Sequence, residues 1–475
     1  MKKQGRHAHF IGVCGVGMSA VAQLLCDDGW SVSGSDDGFY PPISTYIKSI
    51  GIKCLTPYKA SNIPLNTDII VIGKHKKLVP ESNPEVKEAM ECGIPVKSYP
   101  EVLEQLTKGK ESIVIAGSFG KSTTTTLLSW VLHDSGVAPS YLIGALPRNS
   151  MPPARLSDGR FFVLEGDEYP SSNWDTRSKF SYYNATHLVL TSCEYDHIDV
   201  FPTHKDYLDR FVGLVKELPS SGTLFICLDN GFTQKIAAAT TTRTVTYSTN
   251  PKSGACWNAK NIQSEQKISF ELTRNEREIC RIESRLFGLH NVQNIVAVCA
   301  VVLDLGLITP AQLRRSIKRF QGTHNRMENI SKNPKIPIYK DIASSGPKAK
   351  ASLRAIRSRH PKKHITLIFE PYSQSFRHEK GLGWYRDLFV DVDTVLLLQP
   401  KKIGQSTNEN RVATNISEAA SRGRKDDVVC LQDRKDVLKY LADENRPTDV
   451  IVVMSSGNSE EIVATFQRKL LQTHS

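Results

Sequence analysis

The stretch SIVIAGSFGKSTTTTLLSWVLHDSG, residues 112–136, places an apolar run, a glycine-rich turn and an amphipathic segment in direct succession. Residues 113–115 predict a buried strand, and the apolar residues after Lys121 recur at the spacing of one helical face. Gly136 then provides a typical helix stop. A strand, a glycine loop and a helix in this order favour a phosphate-binding loop over a structural turn, because the loop amides and the helix N-terminus point at the anion.

The glycines of this loop are unusually close together. The common nucleoside-triphosphate loop has four residues between its first glycine and its Gly-Lys pair, whereas only Ser118 and Phe119 intervene here. In such loops a lysine neutralises the β- and γ-phosphates and a hydroxyl ligates Mg²⁺, roles that we assign to Lys121 and Ser122. The predicted ATP-binding residues of the loop are Gly117, Ser118, Phe119, Gly120, Lys121, Ser122 and Thr123.

Two later strands end in clusters of acids, EGDE from Glu165 and CEYDH from Cys193. The carboxyl ends of parallel strands lie beside the crevice that would hold the phosphates. Oxygen-rich ligands suit Mg²⁺, so we expect Glu165 and His197 to join Ser122 as metal ligands. The neighbouring acids would equally serve to orient these ligands or to cap helices: Asp167, Glu168, Glu194 and Asp196.

Two further candidates lie beyond the acids. In GLHNVQN, the amide of Asn291 would face an adenine edge or else cap the following helix. In THNRMEN, Arg326 lies at a predicted domain boundary, where a cation would reach ATP when the domains close. The alternative for this residue is an ordinary surface arginine.

The N-terminal sequence FIGVCGVGMSA predicts a strand followed by a glycine turn at Gly12, Gly15 and Gly17. Asp36 follows Gly17 by 19 residues, at the end of the next predicted strand, which is the spacing of an acid near a ribose. A nicotinamide dehydrogenase uses such a turn, but the same fold holds UDP and other nucleotides. The dehydrogenase interpretation would leave the loop at residues 117–123 unexplained.

The composition is that of an ordinary globular protein, with 40% hydrophobic and 23% charged residues in a chain of 475. The net charge is +12, but the basic cluster at residues 348–363 lacks the interleaved aromatic residues of a nucleic-acid surface. The ten cysteines form no C-x-x-C pair, which favours a reducing compartment and no zinc site. Without a signal-peptide pattern or an apolar run of membrane-spanning length, we expect a cytoplasmic protein with no membrane or nucleic-acid partner.

Strand and helix patterns alternate along three successive parts of the chain. This alternation predicts three α/β units with parallel sheets. We place the units at residues 1–108, 109–322 and 323–475. The oligomeric state does not follow from these patterns.

A glycine-rich nucleotide domain, a short phosphate loop and a third α/β unit, in this order, resemble the Mur ligase family, the ATP-dependent amide-forming enzymes of peptidoglycan synthesis. GSFGKST at residues 117–123 is similar to the family's Gly-Thr-x-Gly-Lys-Thr-[Ser/Thr] loop, including its short spacing. The resemblance covers essentially the whole chain. Within the family, the strings most similar to ligases that act on a murein tripeptide are GSDDGFYPPIST at 34–45, EGDEYPSSNWDTRSKF at 165–180, CEYDHIDVF at 193–201, IFEPYS at 368–373 and LLLQP at 396–400.

The resemblance implies a three-domain Mur ligase architecture. A Rossmann-like N-terminal domain would bind the UDP substrate, a P-loop central domain would bind ATP, and a Rossmann-like C-terminal domain would position the incoming amine. Asn291 would face the adenine, Arg326 would lie near the transferred phosphate, and Asp341 would contact the ribose. The UDP moiety would lie around Gly12, Gly15, Gly17, Ser35 and Asp36. The catalytic residues would be Lys121, Glu165, His197 and Arg326.

The implied reaction uses ATP and Mg²⁺ to convert the carboxylate of UDP-N-acetylmuramate into an acyl phosphate, which an incoming amine attacks to form an amide. The most similar strings point to the peptide L-Ala-γ-D-Glu-meso-diaminopimelate as the amine, in peptidoglycan recycling. The alternatives are a UDP-N-acetylmuramate–L-alanine ligase and a catalytically degenerate nucleotide-binding relative.

Several positions depart from the family pattern. Phe119 stands where close relatives usually carry His, Ser344 and Ser345 replace a His pair, and Tyr372 replaces an Arg. MSSGNSEE, residues 454–461, lacks an expected glycine-rich run. All but the first lie in the third unit, so they bear on which amine is accepted and on whether full activity is retained.

Overall fold

The computed structural model describes residues 5–40, 43–198, 200–331, 336–398, 415–422, 428–441 and 448–455. Parts of several predicted strings lie outside the described residues: Pro41 and Pro42, Asp199, the last two residues of LLLQP, and MSSGNSEE beyond Ser455. The described chain forms three sheets, each with its own helices. This arrangement confirms the predicted α/β fold with three domains.

The first sheet is built from parallel strands. They are β1 (His7–Ile11), β2 (Ser31–Ser35), β3 (Lys53–Leu55), β4 (Ile69–Ile72) and β5 (Val96–Lys97). The helices of this region are α1 (Val16–Asp27), α2 (Ile43–Ser49), α3 (Pro84–Glu91) and α4 (Tyr99–Leu106), with a 3₁₀ turn at Ala60–Asn62. The strand order is β3-β2-β1-β4-β5, so β1 has β2 on one side and β4 on the other. The glycine turn after β1 therefore opens where the strand order reverses, which is where such sheets bind ligands.

The central sheet places the phosphate loop between two acidic strand ends. Its strands are β6 (Glu111–Ala116), β7 (Ser140–Leu142), β8 (Ala154–Arg155), β9 (Phe161–Glu165), β10 (Ala185–Leu190), β11 (Thr223–Cys227), β12 (Thr244–Ser248), β13 (Trp257–Gln263), β14 (Ile268–Arg274) and β15 (Arg277–Ser284). The strand order is β15-β14-β13-β12-β11-β10-β6-β9-β7-β8. Because β6 lies between β9 and β10 and is parallel to both, their carboxyl ends emerge at one edge of the sheet.

The helices of the central region are α5 (Lys121–Asp134), α6 (His204–Lys216), α7 (Gly231–Ala237), α8 (Leu289–Asp304) and α9 (Pro310–Arg319), with a 3₁₀ turn at Lys179–Tyr182. Helix α8 is apolar on every side from Ile295 to Leu303 and is buried along most of its length, as expected for a segment without a polar face. It packs against α5. This packing fixes α5, and with it the phosphate loop from which α5 begins.

One edge of the central sheet differs from the parallel arrangement predicted from the sequence. Strands β13, β14 and β15 pair antiparallel. The chain reverses between β14 and β15 at Asn275 and Glu276, which have φ values of 46° and 69°, as in two-residue hairpin turns. The prediction missed this hairpin because it relied on continuous apolar runs, whereas burial alternates along β15.

The third sheet is mainly parallel. Its strands are β16 (Glu328–Asn329), β17 (Ile338–Asp341), β18 (Ile365–Glu370), β19 (Thr394–Leu398), β20 (Val428–Leu431) and β21 (Val450–Ser455), in the order β16-β17-β21-β18-β19-β20. Among the described pairings of this third sheet, only β16–β17 is antiparallel. The helices are α10 (Gly346–Arg359), α11 (Gln374–Arg377), α12 (Tyr385–Leu388) and α13 (Arg434–Leu441), with a 3₁₀ turn at Glu379–Trp384.

The predicted domain boundaries fall in connections between these sheets. Residue 108 lies between α4 and β6, and residue 322 lies between α9 and β16. The residue at which each domain ends stays a prediction. All ten cysteine thiols are free. No helix in the described ranges combines the length and the apolar character needed to cross a membrane.

A buried polar network lies within the first region. Glu85 on α3 is fully buried, and its Oε1 lies 2.7 Å from His9 Nε2 and accepts from Ser35 Oγ at 2.6 Å. Its Oε2 accepts from the amide of Lys59 at 3.0 Å and from the side chain of Asn62 at 2.7 Å. One carboxylate thus joins β1, β2 and α3, the elements that position the glycine turn.

Replacing Glu85 with Ala leaves these buried donors without an acceptor, so we expect the first region to lose about 3–5 kcal/mol of local stability. Hydrogen exchange of the β1 and β2 amides, followed by mass spectrometry, measures this loss. Glu91→Ala is the matched control, because Glu91 is exposed at the end of the same helix and surface changes stay within about 0.5 kcal/mol. Equal exchange in the two variants contradicts the role given to the network.

Candidate active site

The phosphate loop is held by the residues that follow β10. The amide of Ser118 donates to the carbonyl of Ser192 at 2.9 Å, and the amide of Phe119 donates to the Ser192 hydroxyl at 3.0 Å. The Thr191 hydroxyl donates to the carbonyl of Phe119 at 2.5 Å. The Ser118 hydroxyl donates to the carbonyl of Glu194 at 2.5 Å. These contacts anchor the loop from one side.

Two positions in the loop require glycine. Gly117 has a φ of +131°, and a Cβ there would lie 2.4 Å from Thr191 Oγ1. Gly120 has a φ of +79°, and a Cβ there would lie 2.4 Å from Asn294 Oδ1 on α8. Both φ values are unfavourable for residues with a side chain. The short spacing of the glycines therefore matches a loop that packs closely against two neighbouring elements.

A cavity of about 690 Å³ opens beside the loop and is lined by all three regions. The first region contributes Gly15 and Gly17, the second contributes Lys121, and the third contributes Arg326 and Asp341. This volume lies within the range of small-molecule sites. The structure thus brings together predicted residues that are far apart in the sequence.

Lys121 pairs with a buried carboxylate at the base of the loop. Its Nζ lies 2.9 Å from Glu168 Oε2 and donates to the carbonyl of Gly117 at 2.6 Å. Glu168 is fully buried and also accepts from the Tyr207 hydroxyl at 3.3 Å. The sequence predicted only a supporting role for Glu168, because no spacing rule distinguished it from its acidic neighbours.

Charge pairing opposes burial at both members of this pair. Burial acts to lower the pKa of Lys121, but the carboxylate of Glu168 outweighs it and holds that pKa above its ordinary value. Burial acts to raise the pKa of Glu168, but the charge of Lys121 and a hydrogen bond with His197 hold it below its ordinary value. Both groups are therefore charged at neutral pH.

Two of the predicted metal ligands lie together. The Ser122 hydroxyl donates to Glu165 Oε1 at 2.7 Å, and the amide of Gly144 donates to Glu165 Oε2 at 2.8 Å. Within the described ranges no group of three or more His, Cys, Asp or Glu side chains is arranged to hold a metal. Mg²⁺ does not require one, since it binds through one or two carboxylates and completes its shell with water and phosphates. The Ser122 and Glu165 oxygens fit that donor set.

The metal role predicted for His197 stays a prediction, and the described side chain is hydrogen-bonded within the protein. Its Nδ1 lies 2.9 Å from the Tyr169 hydroxyl, and its Nε2 lies 3.0 Å from Glu168 Oε1. Both ring nitrogens are therefore hydrogen-bonded within the protein rather than directed at Ser122 and Glu165. Its backbone has a φ of 52°, an unfavourable conformation of the kind that functional sites retain. Glu165 ends β9 and His197 follows β10. The sequence did not reveal that the Glu168 side chain lies between these two strand ends and contacts His197.

The predicted adenine contact is tied into α8. Asn291 Nδ2 donates to the carbonyl of Phe287 at 2.9 Å, and Asn291 Oδ1 accepts from Asn294 Nδ2 at 3.2 Å. Both asparagines still line the cavity, as does His290. Burial lowers the pKa of His290 to about 4, so its ring is neutral at physiological pH. This wall of the cavity is polar and uncharged.

Arg326 and Asp341 approach the cavity from the third region. Asp341 Oδ2 accepts from the amide of Met327 at 3.1 Å and from the Ser352 hydroxyl at 2.9 Å. Burial raises the pKa of Asp341, although the charge of Arg326 opposes that rise. The buried Nε of Arg326 has no hydrogen-bond partner among the described residues. An unpartnered buried donor in this wall suits an anionic ligand.

The glycine turn of the first region faces the cavity only in part. Gly15 and Gly17 line it, and a Cβ at Gly17 would lie 3.2 Å from the ring of Tyr99. Gly12 has a φ of +87° and shapes the turn from behind, where its Cβ would meet Leu78.

Ser35, the last residue of β2, and Asp36, which follows it, were also predicted to contact UDP. Asp36 Oδ2 accepts from the amide of Cys14 at 2.8 Å, which fixes the turn. Ser35 is outside the described lining of the cavity, and its contact with UDP stays a prediction. Its side chain is fully buried and donates to Glu85, because the end of β2 is covered on both faces.

A second ion pair lines the cavity near the first region. Lys179 Nζ donates to Asp167 Oδ2 at 2.6 Å and lies 5.4 Å from the centre of the Tyr99 ring. Burial acts to raise the pKa of Asp167, but the charge of Lys179 lowers it to about 2. Lys74, from the first region, lies in the same wall. The sequence did not identify Lys74 or Lys179 as site residues, and only the Arg-Ser-Lys-Phe string pointed toward Lys179.

Family models match the chain in three successive segments. The Mur ligase family catalytic domain matches residues 7–111, the Mur ligase middle domain matches residues 115–302, and the Mur ligase glutamate ligase domain matches residues 325–457. The chain belongs to the Mur ligase family. Members of this family are ATP-dependent ligases that form C–N bonds, and this Mur ligase is an enzyme of that kind.

Relatives of this Mur ligase match from two thirds to nearly all of the chain. It is 29% identical to the UDP-N-acetylmuramate–L-alanine ligase of Desulforamulus reducens, covering 99% of both chains. A murein peptide ligase structure from Neisseria is 29% identical, with a TM-score of 0.61 over 66% of this chain and 98% of that one. The UDP-N-acetylmuramate–alanine ligase of Thermotoga maritima shares the fold, with 18% identity and a TM-score of 0.78 over 98% of this chain and 99% of that one.

The pair formed by Asp167 and Lys179 predicts a pH dependence. The folded pKa of Asp167, about 2, lies below its unfolded value of about 3.9. Its contribution to stability is therefore fully present above about pH 5 and is lost as the pH falls toward about 2. We expect the difference in unfolding free energy between this protein and Asp167→Asn to shrink over that range.

Urea unfolding at several pH values measures this difference, and each variant is compared at the same pH. Asp209→Asn is the control, because Asp209 is exposed on α6 and pairs with the exposed Lys205. A difference for Asp167→Asn that stays constant from about pH 5 to about pH 2 contradicts the prediction.

Proposed function

We propose that this Mur ligase joins the carboxylate of UDP-N-acetylmuramate to the amine of L-alanine in an ATP-dependent reaction. The full-length relative with 29% identity carries that name. The observation that carries the proposal is the single cavity in which the glycine turn, the phosphate loop and the third region meet. A ligase of this kind has to hold a nucleotide-linked acid, ATP and an amine side by side, which such a cavity permits.

The second candidate amine is the peptide L-Ala-γ-D-Glu-meso-diaminopimelate, which the sequence strings placed first. The murein peptide ligase from Neisseria supports it, with 29% identity over 66% of this chain. The strings EGDEYPSS and DTRSKF of the middle region contribute to the cavity wall through Asp167 and Lys179. Three sequence relatives that match 97–99% of this chain are named as L-alanine ligases, so the peptide is the alternative.

The phosphate loop would bind ATP through its amides and through Lys121. ATP supplies the phosphoryl group that turns the carboxylate into a better acyl donor. The Lys121 ammonium, held by Glu168 at 2.9 Å, would stabilise negative charge that develops on the transferred phosphate. Ser122 and Glu165 would hold Mg²⁺, and His197 would keep Glu168 in place through its Nε2 at 3.0 Å.

The other ligands would enter from the flanking regions. The first region, residues 1–108, would bind the UDP moiety at Gly15, Gly17 and Asp36. The third region, residues 323–475, would position the amine and bring Arg326 and Asp341 to the nucleotide held by residues 109–322. Closure of three regions around the ligands would exclude water from the reacting groups.

Phosphate release tests the proposed reaction directly. The assay supplies ATP, Mg²⁺ and UDP-N-acetylmuramate with one amine at a time: L-alanine, the diaminopimelate tripeptide, or the corresponding lysine tripeptide. We expect release with L-alanine. Phosphate release with a tripeptide but not with L-alanine supports the second candidate. ATP binding without release for any amine shows a catalytically degenerate relative and contradicts the ligase proposal.

Replacing Lys121 with Ala removes the cation that the loop directs at the phosphates, so we expect kcat/KM to fall by about 10²–10³ or more. Circular dichroism checks that the fold is retained. Lys216→Ala is the control, because Lys216 is exposed at the end of α6. Turnover by Lys121→Ala equal to that of the control shows that the loop has another role.

A further inference from the structure

Helix α10 carries two lysines with contrasting surroundings. Lys350 is 47% exposed and pairs with the exposed Asp387 of the same region. Lys348 is only 18% exposed, and its Nζ lies 2.7 Å from Asp196 Oδ2, a middle-region carboxylate that is 1% exposed. Lysines are seldom buried without a specific partner, so Lys348 is distinguished from the surface charges of its helix.

The Lys348 ammonium also faces the phosphate loop. Its Nζ lies 5.7 Å from the centre of the Phe119 ring, a distance at which an aromatic face attracts a cation. Phe119 offers no side-chain hydrogen-bond donor to a phosphate. Phe119 and Lys348 line the same cavity as Lys121. The third region therefore supplies a cation at the loop position that has no polar side chain.

The ammonium retains donor capacity in this arrangement. Lysine has three N–H donors, and among the described residues Lys348 uses two of them, to Asp196 at 2.7 Å and to Ser344 Oγ at 3.2 Å. Asp196 is itself fixed, because its Oδ1 accepts from the amide of His197 at 2.8 Å. Burial acts to raise the pKa of Asp196, but the charge of Lys348 holds it well below its usual range. Asp196 is therefore a carboxylate at neutral pH.

We propose that Lys348 is a further phosphate-binding residue, delivered by the third region so that its ammonium contacts the terminal phosphate of ATP. The proposal rests on the proposed function, since it takes ATP as the ligand of the loop. Asp196 and Phe119 are positioning residues that hold the ammonium at the mouth of the loop. Lys121 and Lys348 come from different regions, so both cations reach the phosphates only when the third region packs against the loop.

Nucleotide titration of Lys348→Ala tests this role, with Lys350→Ala as the matched control on the same helix. The probes are the β,γ-imido analogue of ATP and ADP, each with Mg²⁺ and the full chain, followed by calorimetry. We expect Lys348→Ala to weaken binding of the ATP analogue by about tenfold, the effect of one lost charged hydrogen bond. ADP binding should change by less than about twofold, since ADP lacks the terminal phosphate. Lys348→Arg, which keeps the charge, should recover most of the loss.

Three results overturn the inference. Equal affinities of Lys348→Ala and Lys350→Ala for the ATP analogue show that the ammonium does not contact the nucleotide. Equal weakening of the analogue and ADP shows that Lys348 acts by docking the third region, not through the terminal phosphate. Failure of the unchanged protein and of Lys350→Ala to bind either nucleotide removes the proposed function together with the inference. The first result, with nucleotide binding retained by these two proteins, removes the inference alone. Circular dichroism of each variant separates these results from unfolding.

Discussion

The buried ion pair between Lys121 and Glu168 is the contact on which the site depends. An ammonium or a carboxylate removed from water is costly unless it is paired and hydrogen-bonded, so neither side chain can move away without a partner. Glu168 is fully buried and also contacts His197 and Tyr207. The pair therefore holds the start of α5, the segment after β9 and the segment after β10 in one arrangement. The phosphate loop is preorganised because its lysine is already oriented.

The loop itself is shaped by close packing. Gly117 and Gly120 each lie where a side chain would collide with a neighbouring polar atom, which brings the loop against both α8 and the end of β10. The remaining walls come from the flanking regions, including Arg326, whose buried Nε lacks a partner among the described residues. Cations from more than one region line the cavity. Nucleotide binding therefore depends on these regions lying close together. A site that closes around its ligands excludes water from the reacting groups.

Parts of this site could be predicted because parallel sheets obey simple rules. A loop after β6 and an acid at the end of the adjacent β9 must emerge at the same edge, so Ser122 and Glu165 were predicted to meet and lie 2.7 Å apart. The ion pairs of Glu168 with Lys121 and of Lys179 with Asp167 were not recognised. Both pairs depend on side-chain directions in irregular segments. Ser35 was predicted to contact UDP, but the strand pattern did not show that its hydroxyl points to Glu85. The antiparallel β14–β15 hairpin was missed for a related reason, since its alternating pattern lacks a continuous apolar run.

The sequence by itself determined the order of the three α/β units, the phosphate loop with its short spacing, and the family to which the chain belongs. These features are local: each depends on periodicity, glycine positions and strand ends within a few dozen residues. Only the tertiary structure decided that His197 bonds to Glu168 rather than to the Ser122–Glu165 pair, and that Lys348 reaches Asp196 from another region. The physical reason is that a buried charge selects its partner by distance and desolvation in three dimensions, which the linear order of residues does not encode.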